Sequence, residues 1–245
     1  MTRWAAIGLA IIAIVAGVAG AVLGTPWDND TSTGVAGGST TATTLDPTLS
    51  IVATANLPAV EVYNETLKQV TSTLPNPIES GAPLTFLVRD RHEDWLRVLL
   101  PLRPNGSEGW IKASQVTLAS HRYKIKVELA AHRLIVTNGT KTILDTPVGV
   151  GTTDTPTPGG LYYTKELFQP PNQEGAYGHF AYGLSGFSNV ITSFRGGDGV
   201  IGIHGTNNPS SVGKDVSHGC LRITNEAITL LARQLPLGVP VEIQA

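Results

Sequence analysis

A single cysteine, Cys220, stands among 245 residues, so no disulfide can form within the chain and cystine stapling plays no part in the fold. Excess charge of either sign is missing as well. Seventeen Lys and Arg against 19 Asp and Glu leave a formal net charge of −2 and a pI near 6.3. With no basic patch interleaved with aromatics, the electrostatic footprint of a nucleic-acid binder is absent. Neither Cys-x-x-Cys nor His-Glu-x-x-His occurs. A metal centre would have to be assembled from His204, His218 and Cys220 alone, and we expect neither metal nor organic cofactor. What is present is 41% hydrophobic residues, enough to bury a core, with 27 Gly and 16 Pro that break the chain into short strands and turns. The expected fold class is mainly β.

The long apolar run is at the start. Ala5 to Gly24 carries no charge and comes directly after Arg3 and Trp4. About twenty such residues span a bilayer, and a basic residue on the short leading side places the remainder of the chain outside the cytoplasm. Residues 1–24 therefore read as a transmembrane anchor or, with small residues at Ala16, Gly17, Ala19 and Gly20, as a signal peptide. No cysteine near its end provides for a lipoprotein anchor. Residues 25–50, made largely of Thr, Ser, Gly, Asp and Ala, read as a flexible linker.

Beyond the linker lie two folded units. In 51–118, short runs such as Val60–Tyr63, Leu84–Val88 and Trp95–Leu100 are separated by Pro, Gly, Asn and Asp, the spacing of a small barrel. The stretch from Trp95 through the loop 103–109 to Trp110-Ile111 resembles the end of a bacterial SH3-like domain. Such a module binds peptide or glycan through its aromatics, or serves as a spacer or lid packed on its neighbour. It contains no candidate catalytic residue, so its removal is expected to leave the chemistry intact. In 123–245, Tyr123–Leu129 alternates as a half-buried strand does, and Arg133–Thr137 leads into Asn138-Gly139, a hairpin signal. Further strands are expected near 160–163, 180–184, 200–204 and 239–243. One helix is expected over Asn225–Leu235, with Thr224 as its N-cap.

The chemistry gathers late in the chain. His204 ends an apolar strand in Ile201-Gly202-Ile203-His204-Gly205-Thr206, and Ser217-His218-Gly219-Cys220-Leu221-Arg222 sets the only thiol beside a second histidine. A free thiol titrates near 8.5, so a neighbouring imidazole, His204 or His218, is expected to supply the thiolate at neutral pH.

This ordered set, with Gly213 between the two halves, resembles the catalytic domain of the L,D-transpeptidases, cysteine enzymes that cross-link peptidoglycan. The segments Val148-Gly149-Val150-Gly151 and Thr155-Pro156-Thr157-Pro158-Gly159-Gly160 look like that family's upstream Gly and Thr-Pro stretch. The resemblance implies a β-sandwich-like domain with one or two short helices. It makes Cys220 the nucleophile, His204 the base, and the Gly205 carbonyl the group that orients the imidazole. His218 and the amides of Gly219 and Cys220 become the oxyanion-hole candidates. Arg222, Tyr182 and Ser217 are expected at the substrate, Arg222 against a carboxylate or else in a salt bridge bracing the cysteine loop. His179 is expected to be an ordinary loop histidine. The implied reaction forms 3→3 cross-links between peptidoglycan stems through a Cys thioester, in an exported enzyme on the cell-envelope side of the membrane, with carbapenems as inhibitors. The alternatives are a wall carboxypeptidase, endopeptidase or amidase, and a decayed wall-binding protein. Papain-like hydrolases place Cys before His, the reverse of the order here.

Overall fold

The structure, a computed structural model, describes residues 48–193 and 198–245. The anchor or signal segment 1–24 and nearly all of the linker lie outside the described residues. Among the described residues no helix is long and apolar enough to cross a membrane.

Strand alternation builds the first body. Its strands are β1 (Ser50–Ala55), β2 (Ala59–Tyr63), β3 (Val70–Pro75), β4 (Thr85–His92), β5 (Trp95–Leu99), β6 (Glu108–Lys112) and β7 (Val116–His121). They form one antiparallel sheet in the order β3-β2-β6-β5-β4-β1-β7. Val60 and Val62, Leu96 and Val98, and Ile111 turn inward at period two and close a core around Phe86. The expected barrel is not closed by hydrogen bonds, because β3 and β7 stand at opposite ends of the sheet. β7 is paired with β1 along its whole length and runs, through Arg122 alone, into the second body. Strands β1, β3 and β7 escaped the sequence reading, since their alternation is diluted by Ser, Thr and Ala.

The second body contains β8 (Tyr123–Glu128), β9 (Arg133–Asn138), β10 (Lys141–Pro147), β11 (Val150–Gly151), β12 (Gly160–Phe168), β13 (Ala181–Phe187), β14 (Val200–His204), β15 (Asp215–Ser217), β16 (Leu221–Arg222), α1 (Asn225–Gln234) and β17 (Pro240–Gln244). Eight strands form one sheet, β10-β9-β8-β17-β12-β13-β14-β16, while β11 and β15 pair separately in parallel. The hairpin lies where expected, shifted by one residue: Asn138 pairs with Lys141, leaving Gly139 and Thr140 as the turn. Helix α1 starts where Thr224 Oγ1 accepts the Ala227 amide at 3.2 Å, and it buries Ala227, Ile228, Leu231 and Ala232 against the sheet. Leu87 and Leu99 of the first body pack on Tyr163 and Leu161 of the second, so the two bodies share an apolar joint.

Candidate active site

Parallel pairing of β14 with β16 assembles the site. Ile203 lies opposite Leu221 and His204 opposite Arg222, which sets Cys220, the residue before β16, beside Gly202. Ile201 and Ile203 point into the core, and the period-two alternation turns His204 to the other face.

The cysteine loop is braced from within. Ser217 Oγ donates to the Cys220 carbonyl at 2.6 Å and accepts the Gly219 amide at 3.1 Å, while the Ser217 carbonyl accepts Thr155 Oγ1 and the Thr152 amide, each at 3.1 Å. Gly219 sits at φ +108°, a conformation that L side chains avoid, and this explains its place in the motif better than any crowding does. Two expectations change as a result. Ser217 is 1% exposed and holds the loop, its hydroxyl committed to backbone groups. The Gly219 amide is committed to Ser217 Oγ, which leaves the Cys220 amide as the other of the two nominated donors.

His204 is 4% exposed, and its Nδ1 lies 2.6 Å from the Gly205 carbonyl. A carbonyl only accepts, so Nδ1 carries the proton and Nε2 the lone pair. Burial pushes this imidazole down to about 4; the Gly205 bond opposes the shift and the Arg222 charge adds to it. Half-buried Cys220 is affected in the opposite sense. Burial raises its thiol above the usual range, with the Gly202 backbone and Arg222 pulling it partly back. Both shifts favour the uncharged forms of the pair, thiol and imidazole. The preformed thiolate expected from sequence is disfavoured because neither ion is solvated there.

Two cavities meet at this pair. One, of about 110 Å³, is lined by Ser188, Ile191, Ser217, His218 and Arg222; the other, of about 190 Å³, by Glu166, Phe168, Ala181 and Asp198. Cys220, His204 and Tyr177 line both. Exposed His218 and half-buried Arg222 thus fall where a ligand would lie. Arg222 makes no ion pair among the described residues, and its buried Nε has no hydrogen-bond partner, so the bracing salt bridge is not formed. Its backbone does brace the loop, exchanging two 2.8 Å bonds with Gly149.

Tyr182 lines the second cavity, but its phenol is committed to α1. Its side chain is fully buried and its hydroxyl donates to the Leu231 and Leu235 carbonyls, both at 3.1 Å, so the phenol ties the sheet to α1 and is not available to a ligand. His179 contacts Thr229 of the same helix at 3.3 Å. Two residues that do shape the site had no sequence signal of their own. Tyr177 packs edge-on against His204 with ring centroids 4.8 Å apart. Asn225 Oδ1 accepts the Thr206 and His179 amides at 3.1 and 3.3 Å, fixing the turn that carries the Gly205 carbonyl. A β-carbon at Gly205 would collide with that oxygen. The Thr224 N-cap signal located the helix start, but not this second use of it.

Bd1075 of Bdellovibrio bacteriovorus, a solved structure, is similar over 51% of this chain and 48% of its own, with a TM-score of 0.40 and 27% identity. Residues 122–243 match the family profile of the YkuD-type L,D-transpeptidase catalytic domain. The YkuD protein of Bacillus licheniformis is 33% identical over 154 residues, covering 60% of this chain and 85% of its own length. That of Bacillus subtilis is 36% identical over 121 residues, covering 49% of this chain and 65% of its own. On the profile match and these identities, joined to a thiol and an imidazole brought together on adjacent strands, the chain belongs to the L,D-transpeptidase family, cysteine enzymes that cross-link peptidoglycan.

Proposed function

We propose that this enzyme forms 3→3 cross-links with Cys220 as nucleophile and His204 as base. The observation that carries the reading is a neutral His204 whose Nδ1–H is fixed on Gly205, leaving Nε2 as the acceptor at the cavities it shares with Cys220. In the first half-reaction the Cys220 proton passes to His204 Nε2 as sulfur attacks the carbonyl of the third stem residue. The C–N bond to the terminal D-Ala then breaks, and that amine leaves with the proton from His204, giving a thioester. In the second, the side-chain amine of another stem attacks the thioester and returns a proton through His204 to sulfur. The Cys220 amide and His218 face the developing oxyanion.

Charge supports a division of labour between the cavities. Arg222 and His218 suit the carboxylate-bearing donor, and Asp198 suits the acceptor amine, Glu166 being already paired with Lys165 at 2.7 Å. The apolar segment 1–24 is read as the export signal or anchor that brings the enzyme to the wall. The SH3-like reading of 51–118 is supported by the β4-β5-β6 meander flanked by β1 and β2.

Mass analysis of products from a tetrapeptide donor and an acceptor stem tests the proposal. The expected result is cross-linked dimer from the wild type and none from Cys220→Ser. A carbapenem is expected to add once per chain and not at all to Cys220→Ser. Hydrolysed tripeptide without dimer would replace transfer by carboxypeptidase action, and a folded protein giving neither product nor adduct would overturn the enzymatic reading.

A further inference from the structure

We propose that Arg103 and Asn105, in the β5–β6 loop of the N-terminal body, are positioning residues for the active site, holding the rim of the cavity that contains His218 and Arg222. The inference rests on the reading that a peptide donor reaches Cys220 through that cavity. It gives the N-terminal body a part in donor binding, beside the expectation that the chemistry itself does not depend on it.

The contacts are specific and reach two separate segments. Asn105 Nδ2 donates to the Phe187 carbonyl at 2.7 Å, and the Phe187 amide donates back to Asn105 Oδ1 at 2.9 Å. One side-chain amide thus supplies the pair of bonds that a neighbouring strand would supply. A supplier is needed there, because the β12–β13 ladder reaches only to Leu184. Arg103 Nη1 donates to the Ser188 carbonyl at 3.0 Å and Nη2 to the Asp198 carbonyl at 2.9 Å, with the guanidinium 4.8 Å from the centre of the Phe187 ring. The planar fork therefore joins the segment leaving β13 to the segment entering β14, as a lysine ammonium cannot.

What these bonds fix lies at the site. Ser188, 2% exposed, lines the cavity, donates its amide to the Gly199 carbonyl at 2.8 Å, and accepts the Val190 and Ile191 amides on Oγ at 3.3 and 3.0 Å. Ile191, Gly199 and Val200 continue the same wall. The β5–β6 loop is itself tied by Ser107, whose Oγ donates to the Pro104 carbonyl at 2.7 Å and whose own carbonyl accepts the Leu100 amide at 2.8 Å. The cavity wall is thereby referenced to the first body, although the cysteine loop opposite is braced entirely within the second.

The test uses the full chain with Asn105→Ala, Arg103→Ala and Arg103→Lys, and three readouts. Amide hydrogen exchange at Phe187, Ser188 and Ile201 is expected to quicken at the first two and to stay unchanged at Ile201. Alkylation of Cys220 by iodoacetamide, which needs no cavity wall, is expected to stay within about twofold, whereas KM for a tetrapeptide donor rises about tenfold with kcat little altered. Arg103→Lys keeps the charge over Phe187 and cannot span both carbonyls, so it is expected to fold normally and to share the rise in KM. Unchanged exchange and KM in the folded variants would overturn the proposal, as would alkylation falling in step with turnover. If the wild type reacts with iodoacetamide but turns over no peptide, the transpeptidase reading fails, and exchange at Phe187 and Ser188 still decides whether the clamp exists.

Discussion

The two β bodies bury different kinds of residue. In the first the buried polar side chains are Ser50 and Thr85, and its core cluster is wholly apolar. Its ion pairs, such as Arg97 with Glu108 at 2.8 Å and Arg97 with Glu65 at 3.6 Å, lie on the surface. The second body buries Thr146, Thr157, Thr164, Ser185, Ser188, His204, Thr206, Ser211 and Ser217, the last four in or beside the bends that bring β14, β15 and β16 together. Each buried hydroxyl in those bends answers a backbone group that no strand partner reaches, as Ser217 answers Gly219 and Cys220. A sheet that only has to hold its shape satisfies its backbone by ladder pairing. One that must present a thiol beside an imidazole leaves its ladder and needs side chains to replace it.

The largest effect that would test this contrast is chemical. Cys220→Ala and His204→Ala are each expected to lower turnover by at least about a thousandfold while leaving a cooperative thermal transition. By contrast, Leu96→Ala in the first body is expected to cost about 2–5 kcal/mol of stability and to leave Cys220 alkylation of the folded fraction unchanged. Residual turnover near wild type in either site variant would remove the functional half of the comparison.

The two bodies and the site were unevenly legible in the sequence. Cys220, His204, His218 and Arg222 stood out because thiol and imidazole at fixed spacing mark a chemistry, and β14 and α1 because apolar periodicity is local. Ser217 and Gly219 were found as motif members, but their use was not, since a hydroxyl two residues before a glycine reads equally as ligand contact or loop brace. That the phenol of Tyr182 is spent on α1 was not legible, because an aromatic between Ala181 and Gly183 carries no sign of which way it faces. Tyr177, Asn225, Arg103 and Asn105 were missed because what they contact is distant in the chain, Asn105 reaching across to Phe187 in another body.

A smaller effect comes from acid. The imidazole of His204 is held at about 4 when folded and titrates near its usual 6.5 when unfolded. Between these values the unfolded chain takes up a proton that the folded chain refuses, so stability is full above pH 6.5, falls as pH drops towards 4, and levels off below. The loss from His204 is about 3 kcal/mol. His121, at the joint between the bodies, is also lowered to about 4 by burial, with a backbone bond to Gly238 opposing, and it acts in the same window and direction. Urea midpoints at pH 7, 5 and 4 are expected to decline for the wild type and less steeply for His204→Gln. The acid limb of Cys220 alkylation should lie near 4, because His204 accepts a proton only while neutral; a limb near 6.5 would mean that the imidazole is solvated.

The smallest effect compares two buried tyrosines, one inside the catalytic body and one at the joint. Tyr182 donates to the Leu231 and Leu235 carbonyls at the end of α1, where Leu231 also accepts the Leu235 amide at 2.8 Å and the Leu235 carbonyl lies past the last helical turn. Tyr182→Phe removes the phenol donor from the Leu235 carbonyl, while Leu231 keeps the Leu235 amide, and is expected to cost about 1–2 kcal/mol. Tyr163 is equally buried, packed with Leu87 and Leu99, but among the described residues its hydroxyl has no hydrogen-bond partner. The ring supplies the packing and the oxygen gains nothing in exchange for its lost hydration. Tyr163→Phe is therefore expected to be neutral or to raise stability by up to about 1 kcal/mol, with activity unchanged. Thermal unfolding of the two variants side by side decides the matter. If Tyr163→Phe is the more damaging of the two, the joint relies on a polar contact as the active-site bends do, and the contrast between an apolar scaffold and a polar site ends at that boundary.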